Sequence, residues 1–344
     1  VRILITVLLA ALLATGVAAC GGGDDEQSFD RDAAQLTIYS GRDEEFVEPL
    51  IEQFEEANPG TEVRVRYGDS AELAATIREE GDQSPADLFF SQDAGSLGAL
   101  EAEGVLAPLP QTTLDQVGKE FRSTKDQWVG TSGRARVLAY DTRKYQAGDL
   151  PASVFELTKP EWKGKVGWAP TNASFQAFVT AMRKTEGEEK TKQWLEDMQA
   201  NDVQSYEKNT LIRDAIADGE IDAGLINHYY VLEAQKEAED GAAYPVGLHF
   251  FPGGDVGALV NVAGVGILKS AADAQGAQKF TDFLLSEPAQ TYFATDTGEY
   301  PLVDGVAQDA SIPPLEDIEQ PDVDLADLSD LQGTLELLQQ TGVL

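Results

Sequence analysis

The 344 residues carry 60 acidic against 25 basic side chains, a formal charge of −35, with 42% hydrophobic content and one cysteine. That charge repels nucleic acid and anionic lipid surfaces, and no basic cluster offers an exception. The lone cysteine rules out an intrachain disulfide and a multi-thiolate metal site, and the two histidines rule out a histidine-rich one.

Arg2 followed by the apolar run Ile3 to Ala19, closing at Val17-Ala18-Ala19-Cys20, reads as a secretion signal with a lipoprotein cleavage box. The run falls short of the ~20 residues a membrane span needs. Residues 1–19 are therefore expected to be a signal peptide, with Cys20 as the acylated first residue. The polar, Gly/Asp-rich stretch that follows, 20–35, is expected to tether a folded body to a membrane by its lipid anchor alone.

From Leu36 the pattern is β then α. Leu36 to Tyr39 reads as a buried strand, and Phe46, Val47, Leu50, Ile51 and Phe54 recur at helical spacing. Val63, Val65 and Tyr67 alternate as a second strand; Leu73, Ala74 and Ile77 mark a second helix; Asp87 to Phe90 is a third strand between Pro85 and Gly95. After the segment Gly130 to Asp141 the alternation resumes. It runs through strand Lys165 to Ala169, helices Phe175 to Met182 and Lys190 to Met198, a short strand Val203 to Tyr206, and helix Leu211 to Ala217, which Gly219 ends. Ile221 to Ile226 is the next strand, with Val231 to Glu237 helical beyond it. Gly257 to Leu268 reads as one long strand, a helix with Phe280, Phe283 and Leu284 follows, and the acidic run Pro313 to Asp330 reads as surface wrapping. Strands separated by helices predict an α/β fold of mostly parallel sheets with covered faces.

The segment GLINHYY, Gly224 to Tyr230, ends a buried strand in a histidine and two adjacent tyrosines. Free phenols titrate near pH 10, so both are neutral unless a strong Lewis acid displaces their protons. Phenolate oxygen is a donor that hard ions prefer, so the pair points to Fe3+ ahead of Zn2+ or Cu+. Two phenolates cancel two of its three charges, and another anion is needed. Adjacent strand residues point to opposite faces, so for both rings to reach one ion the strand must end before them. Packing of one ring with exposure of the other is the competing reading.

With the tyrosine pair go LTIYSGRDEEF from Leu36, EEGDQSPADLFFSQDAG from Glu79, VGTSGRARVLAYD from Val129, WKGKVGWAPTNASF from Trp162, YEKNTLIRDAIADGEIDAGLINHYY from Tyr206 and PGGDVGALVNVAGVGIL from Pro252. In these ordered segments, from about Leu36 to the end, the chain resembles the ferric-iron-binding, periplasmic-type solute receptors of bacterial ABC transporters. The resemblance implies a two-lobed type II periplasmic-binding fold with a two-strand hinge, crossing near Arg136 and near Gly254. The lobes would be 36–136 plus 255–310 and 137–254 plus 311–344. It implies one Fe3+ in the interlobe cleft with a co-bound phosphate or carbonate, delivered by a lipid-anchored monomer outside the cytoplasm to an ABC permease and its ATPase.

Tyr229 and Tyr230 are then the metal ligands. The resemblance departs in two places: where some members carry a histidine after the first strand stands Asp43, and where a glutamate follows the third strand stands Gln92, with Asp93 beside it. Asp43 is the candidate third ligand ahead of Asp93, although an acid there also suits a helix start. Asp93 also reads as a helix cap. Asn172, Ala173 and Ser174 form a helix-start loop for the anion, with Asn209 and Asn227 at its side and Arg134 or Arg136 as a charged fork. Ordinary capping by Asn172 and Ser174, and ion pairing of the arginines with surplus carboxylates, are their bland alternatives. His228 is expected to hydrogen-bond locally, His249 to pack near the hinge, and the tryptophans to serve the core. A receptor for an organic anion such as a phosphonate, without metal, is the alternative function. An enzyme is not expected: no GxSxG elbow occurs and neither histidine has an evident nucleophile partner.

Overall fold

A computed structural model describes residues 35–238 and 244–344; the signal segment, Cys20 and nearly all of the tether lie outside the described residues. The chain opens with β1 (Leu36–Ser40), α1 (Glu44–Ala57), β2 (Val63–Tyr67), α2 (Ser70–Glu80), β3 (Leu88–Ser91) and α3 (Ala94–Ala102), the alternation the periodicity predicts. β1 pairs in parallel with β2 on one side and β3 on the other. Every residue of β1 and β3 is buried, as a sheet covered on both faces requires. α1 turns Val47, Leu50, Ile51 and Phe54 inward.

A short α4 (Gln111–Leu114) leads to β4 (Val129–Asp141), which organises the molecule. Beyond it come β5 (Val166–Trp168), α5 (Ala173–Glu186), α6 (Glu188–Ala200), β6 (Gln204–Ser205), α7 (Asn209–Asp218), β7 (Ala223–Asn227), α8 (Tyr229–Glu237) and β8 (Val246–His249). The chain then continues through β9 (Val260–Ile267), α9 (Ala274–Leu284), α10 (Glu287–Thr295), β10 (Tyr300–Pro301) and α11 (Leu331–Gln340). The strand order is β2-β1-β3-β9-β4-β7-β5-β6, with β10 and β8 also pairing with β4.

β4 changes partners midway. Val129 to Ala135 pairs antiparallel with β9, and Ser132 and Gly133 with β10, whereas Arg136 to Tyr140 pairs with β7 and Leu138 to Asp141 with β8. One strand thus serves two half-sheets, each with parallel strands at its far side and antiparallel ones next to β4. The chain changes halves again between β8 and β9. The predicted strand from Gly257 begins later, at Val260, because Val256–Ala258 is a 3-10 turn capped by Asp255, whose carboxylate accepts the Gly257 N–H at 2.8 Å. The same carboxylate accepts the Ser153 hydroxyl at 2.5 Å. Apolar content alone does not tell a buried turn from a buried strand.

The two halves have separate aromatic cores. Phe54 meets Phe280 edge-on at 5.0 Å in the first; in the second, Trp168, Phe175, Phe178 and Trp194 form a cluster with ring centroids 5.4 to 6.0 Å apart. All four tryptophans are buried, as expected of packing residues. The acidic run carries 3-10 turns at Leu315–Asp317 and Leu325–Ser329. The second lies on α3, where Gly95 and Gly98 leave room for the Leu328 and Ala326 carbonyls. α11 docks on α5 through the Thr180–Thr334 hydroxyl pair at 2.7 Å and the Arg183–Asp330 ion pair at 3.0 Å.

Close approach of β9 to β4 demands glycine at 264: a Cβ there would stand 2.7 Å from the Val129 carbonyl oxygen and 2.9 Å from a Leu97 methyl. Since backbone cannot swing aside as a side chain can, Gly264→Ala is expected to cost about 1–3 kcal/mol. Urea or thermal unfolding of the variant checks this.

Candidate functional site

β7 stops at Asn227, and His228 already has helical dihedrals, φ −60° and ψ −40°. Tyr229 and Tyr230 therefore open α8, where successive side chains are offset by about 100° rather than alternating by 180°. Both rings consequently fall on one side: their centroids are 4.2 Å apart with planes at 33°. Tyr229 is 4% exposed while Tyr230 keeps partial access to solvent. Burial pushes the Tyr229 phenol well above 10, the Tyr230 oxygen adds to the shift, and the Arg134 guanidinium opposes it. The helix start adds unpaired N–H groups near the same oxygens.

His228 is fully buried, and burial drives its pKa down to about 4. Its main-chain N–H donates to the Ala135 carbonyl at 3.0 Å, and its Nδ1 accepts the Ala135 N–H at 3.2 Å. The ring is neutral with its proton on Nε2, an atom that is buried without a hydrogen-bond partner. It lies 4.7 Å from the Tyr300 ring. Local bonding is the role expected of it. His249 bonds through Nε2 to the Pro151 carbonyl at 2.7 Å and packs on Phe251.

The anion candidates converge. Arg136, paired across β4 and β7 with Asn227, donates to Ser174 Oγ at 3.2 Å, to Asn227 Oδ1 at 3.4 Å and to the Leu225 carbonyl at 2.9 Å. Burial lowers its pKa to about 10, with Tyr230 and Tyr229 pulling the other way. Asn172 caps α5: its Oδ1 accepts the Ser174 N–H at 3.0 Å, the Ser174 hydroxyl at 2.5 Å and the Asn209 amide at 3.2 Å. Capping and membership of the cluster coexist. Gln92, Asp93, Arg134, Arg136, Ser174, Asn227, Leu259 and Asn261 line a void of about 10 Å³, the space of one water.

Asp43 follows Arg42, a guanidinium on which both its carboxylate and the Tyr229 oxygen act. It is exposed at the N-cap of α1 and its side chain accepts no capping hydrogen bond. The charges bearing most on Tyr229 are instead Tyr230, Arg134 and Glu299. Asp93 caps α3 by accepting the Ser96 N–H at 2.8 Å and hydroxyl at 3.0 Å.

Sequence reasoning missed Glu299. This carboxylate, 2% exposed, takes both Nη1 and Nη2 of the buried Arg42 at 2.7 and 3.2 Å and lies 3.8 Å from Nε of the buried Arg134. Arg134 also donates to the Gln92 carbonyl. Burial raises the carboxyl's pKa, but Arg42 and then Arg134 outweigh it, and Glu299 stays ionised. The only signal for it was a single acid in TGEYP, between an apolar helix and a buried tyrosine. Among the described residues no group of three or more histidine, cysteine, aspartate or glutamate side chains is arranged to hold a metal ion. The phenols are the distinctive donors here.

Residues 83–327 match the family described as bacterial extracellular solute-binding protein. The major ferric iron-binding protein of Neisseria meningitidis serogroup B is 35% identical over 312 residues, 90% of this chain and 93% of that protein. The Fe(3+)-binding periplasmic protein of Serratia marcescens is 32% identical over 311 residues, 90% of each. Among solved structures, iron-bound HitA from Pseudomonas aeruginosa superposes with a TM-score of 0.84 at 34% identity, covering 90% of this chain and 99% of that one. The Trichodesmium IdiA (FutA) structure in complex with iron and citrate gives 0.78 at 28%, with the same coverage. This chain belongs to the bacterial extracellular solute-binding proteins and has their two-lobed type II periplasmic-binding fold.

Proposed function

We propose that the protein is an extracytoplasmic receptor that captures Fe3+ with a synergistic anion between its lobes and delivers it to an ABC permease and ATPase, without catalysing a reaction. The carrying observation is the pair of phenols stacked at the start of α8, one buried and both flanked by buried guanidinium groups. Relatives and solved neighbours named for ferric iron support the cargo. A metal-free phosphonate receptor is not favoured, since nothing in anion capture calls for two converging phenols.

In this reading Tyr229 and Tyr230 bind the metal as phenolates. Arg134, Asn172, Ser174, Asn209 and Asn227 hold a phosphate or carbonate beside it, and Asp43, exposed at the start of α1, is the candidate third ligand. The lobes are 36–136 plus 255–310 and 137–254 plus 311–344, closing about the segments where β4 changes partners and where β8 gives way to β9. The receptor is a monomer held to the membrane by lipid on Cys20. No helix among the described residues is long and apolar enough to cross a membrane.

Ferric citrate added to the purified protein lacking residues 1–20 is expected to produce a visible phenolate-to-iron charge-transfer band. Tyr229→Phe and Tyr230→Phe should each lose most of that band and weaken iron binding at least ~100-fold, about 3 kcal/mol. Unchanged iron binding in both variants would count against phenolate ligation.

Because burial holds Tyr229 protonated across the physiological range, iron must displace its proton. Capture then strengthens as pH rises, by about tenfold per pH unit for each proton released. Competition against a chelator at fixed free Fe3+ between pH 6 and 8 measures this slope, and a flat profile counts against phenolate ligation.

A further inference from the structure

Glu299 has no part in the ligand set just proposed, yet it is among the most costly groups in the molecule to bury. Two buried guanidiniums share its one carboxylate, Arg42 as a bidentate partner at 2.7 and 3.2 Å and Arg134 at 3.8 Å, with the Asp43 and Asp93 carboxylates acting from further off on Arg42 and Arg134 respectively. Arg42 Nε and Arg134 Nη1 are buried without hydrogen-bond partners. A cluster built only to stabilise the fold would satisfy its donors.

Its position is as specific as its charge. The neighbours of Glu299 on both sides touch the tyrosine turn: a Cβ built on Gly298 would lie 3.7 Å from the Tyr229 Cβ, and Tyr300 lies against the His228 ring at 4.7 Å. Gly298 has φ +69°, a conformation that glycine adopts without strain, and this lets the backbone run against the turn. Arg134, the second partner of Glu299, also lines the void that holds the anion candidates. Glu299 therefore stands behind both halves of the site.

Capture exchanges two phenol protons for Fe3+, a net gain of one positive charge in a pocket already walled by arginines. We infer that Glu299 is a positioning residue for iron capture, fixing Arg42 and Arg134 behind Tyr229 and supplying the permanent negative charge that sets how much co-bound anion the site requires. The inference rests on the iron reading above. Charge of either sign near the metal acts in opposite directions: removing the carboxylate makes the net gain harder, and removing one guanidinium makes it easier.

The experiment offers ferric nitrilotriacetate to wild type, Glu299→Gln and Arg42→Gln at several bicarbonate concentrations and reads the visible phenolate band, with thermal unfolding to show that each variant is folded. Glu299→Gln is expected to weaken iron binding by about 10- to 100-fold at low bicarbonate and to depend more steeply on bicarbonate. Arg42→Gln is expected to tighten it by about threefold or more and to flatten that dependence. A purely structural role would harm both variants alike, so parallel weakening, or no change in either, overturns the inference. Should Glu299→Gln not fold, Arg42→Gln decides alone: tightening supports the inference, and weakening or no change overturns it. A wild type that stays colourless instead sinks the iron reading itself, an outcome the variants cannot mimic.

Discussion

A phenol buried between guanidiniums is the feature around which the candidate site is arranged. Tyr229 is shielded from water, and that shielding alone makes its proton hard to remove. The fold answers with guanidiniums that are themselves buried and would be expensive anywhere else. Arg136 is held by three acceptors from β7 and α5, and Arg134 by Glu299 and the Gln92 carbonyl. Neither arginine can relax away when the pocket changes charge. The field around the two phenols is thus set by groups held in place, which need not reorganise as water would.

The same feature accounts for the crowded hydrogen bonding around Asn172. Its carbonyl oxygen receives the Ser174 N–H, the Ser174 hydroxyl and the Asn209 amide, so three polar groups around the void are oriented by one side chain. The void near 10 Å³ that they border is smaller than a phosphate.

Much of the fold was legible because β-strands covered on both faces write themselves as apolar runs and helices as 3.6-residue stripes. β1, β3 and β7 were placed within a residue or two in this way. The late start of β9 was not legible, since the turn at Val256 to Ala258 is as apolar as the strand it precedes and depends on Asp255 reaching back to Ser153. In the site, the tyrosine pair stood out because a strand ending in two phenols has no economical packing explanation. Arg134, Arg136, Ser174 and Asn227 were named by resemblance, and their meeting at one void needed the register of β4 against β7. Glu299 was beyond reach: its partners Arg42 and Arg134 lie 257 and 165 positions away, and nothing in TGEYP marks a carboxylate as buried.

The two bonds between His228 and Ala135 have a mechanical consequence. Ala135 is the last residue of β4 paired with β9, and Arg136 the first paired with β7. His228 grips Ala135 through main chain and ring together, and Tyr229 follows it directly. The point where β4 changes partners and the tyrosine turn are therefore geared to each other: a bend in β4 at Ala135 levers the phenols, and a load on the phenols torques the strand.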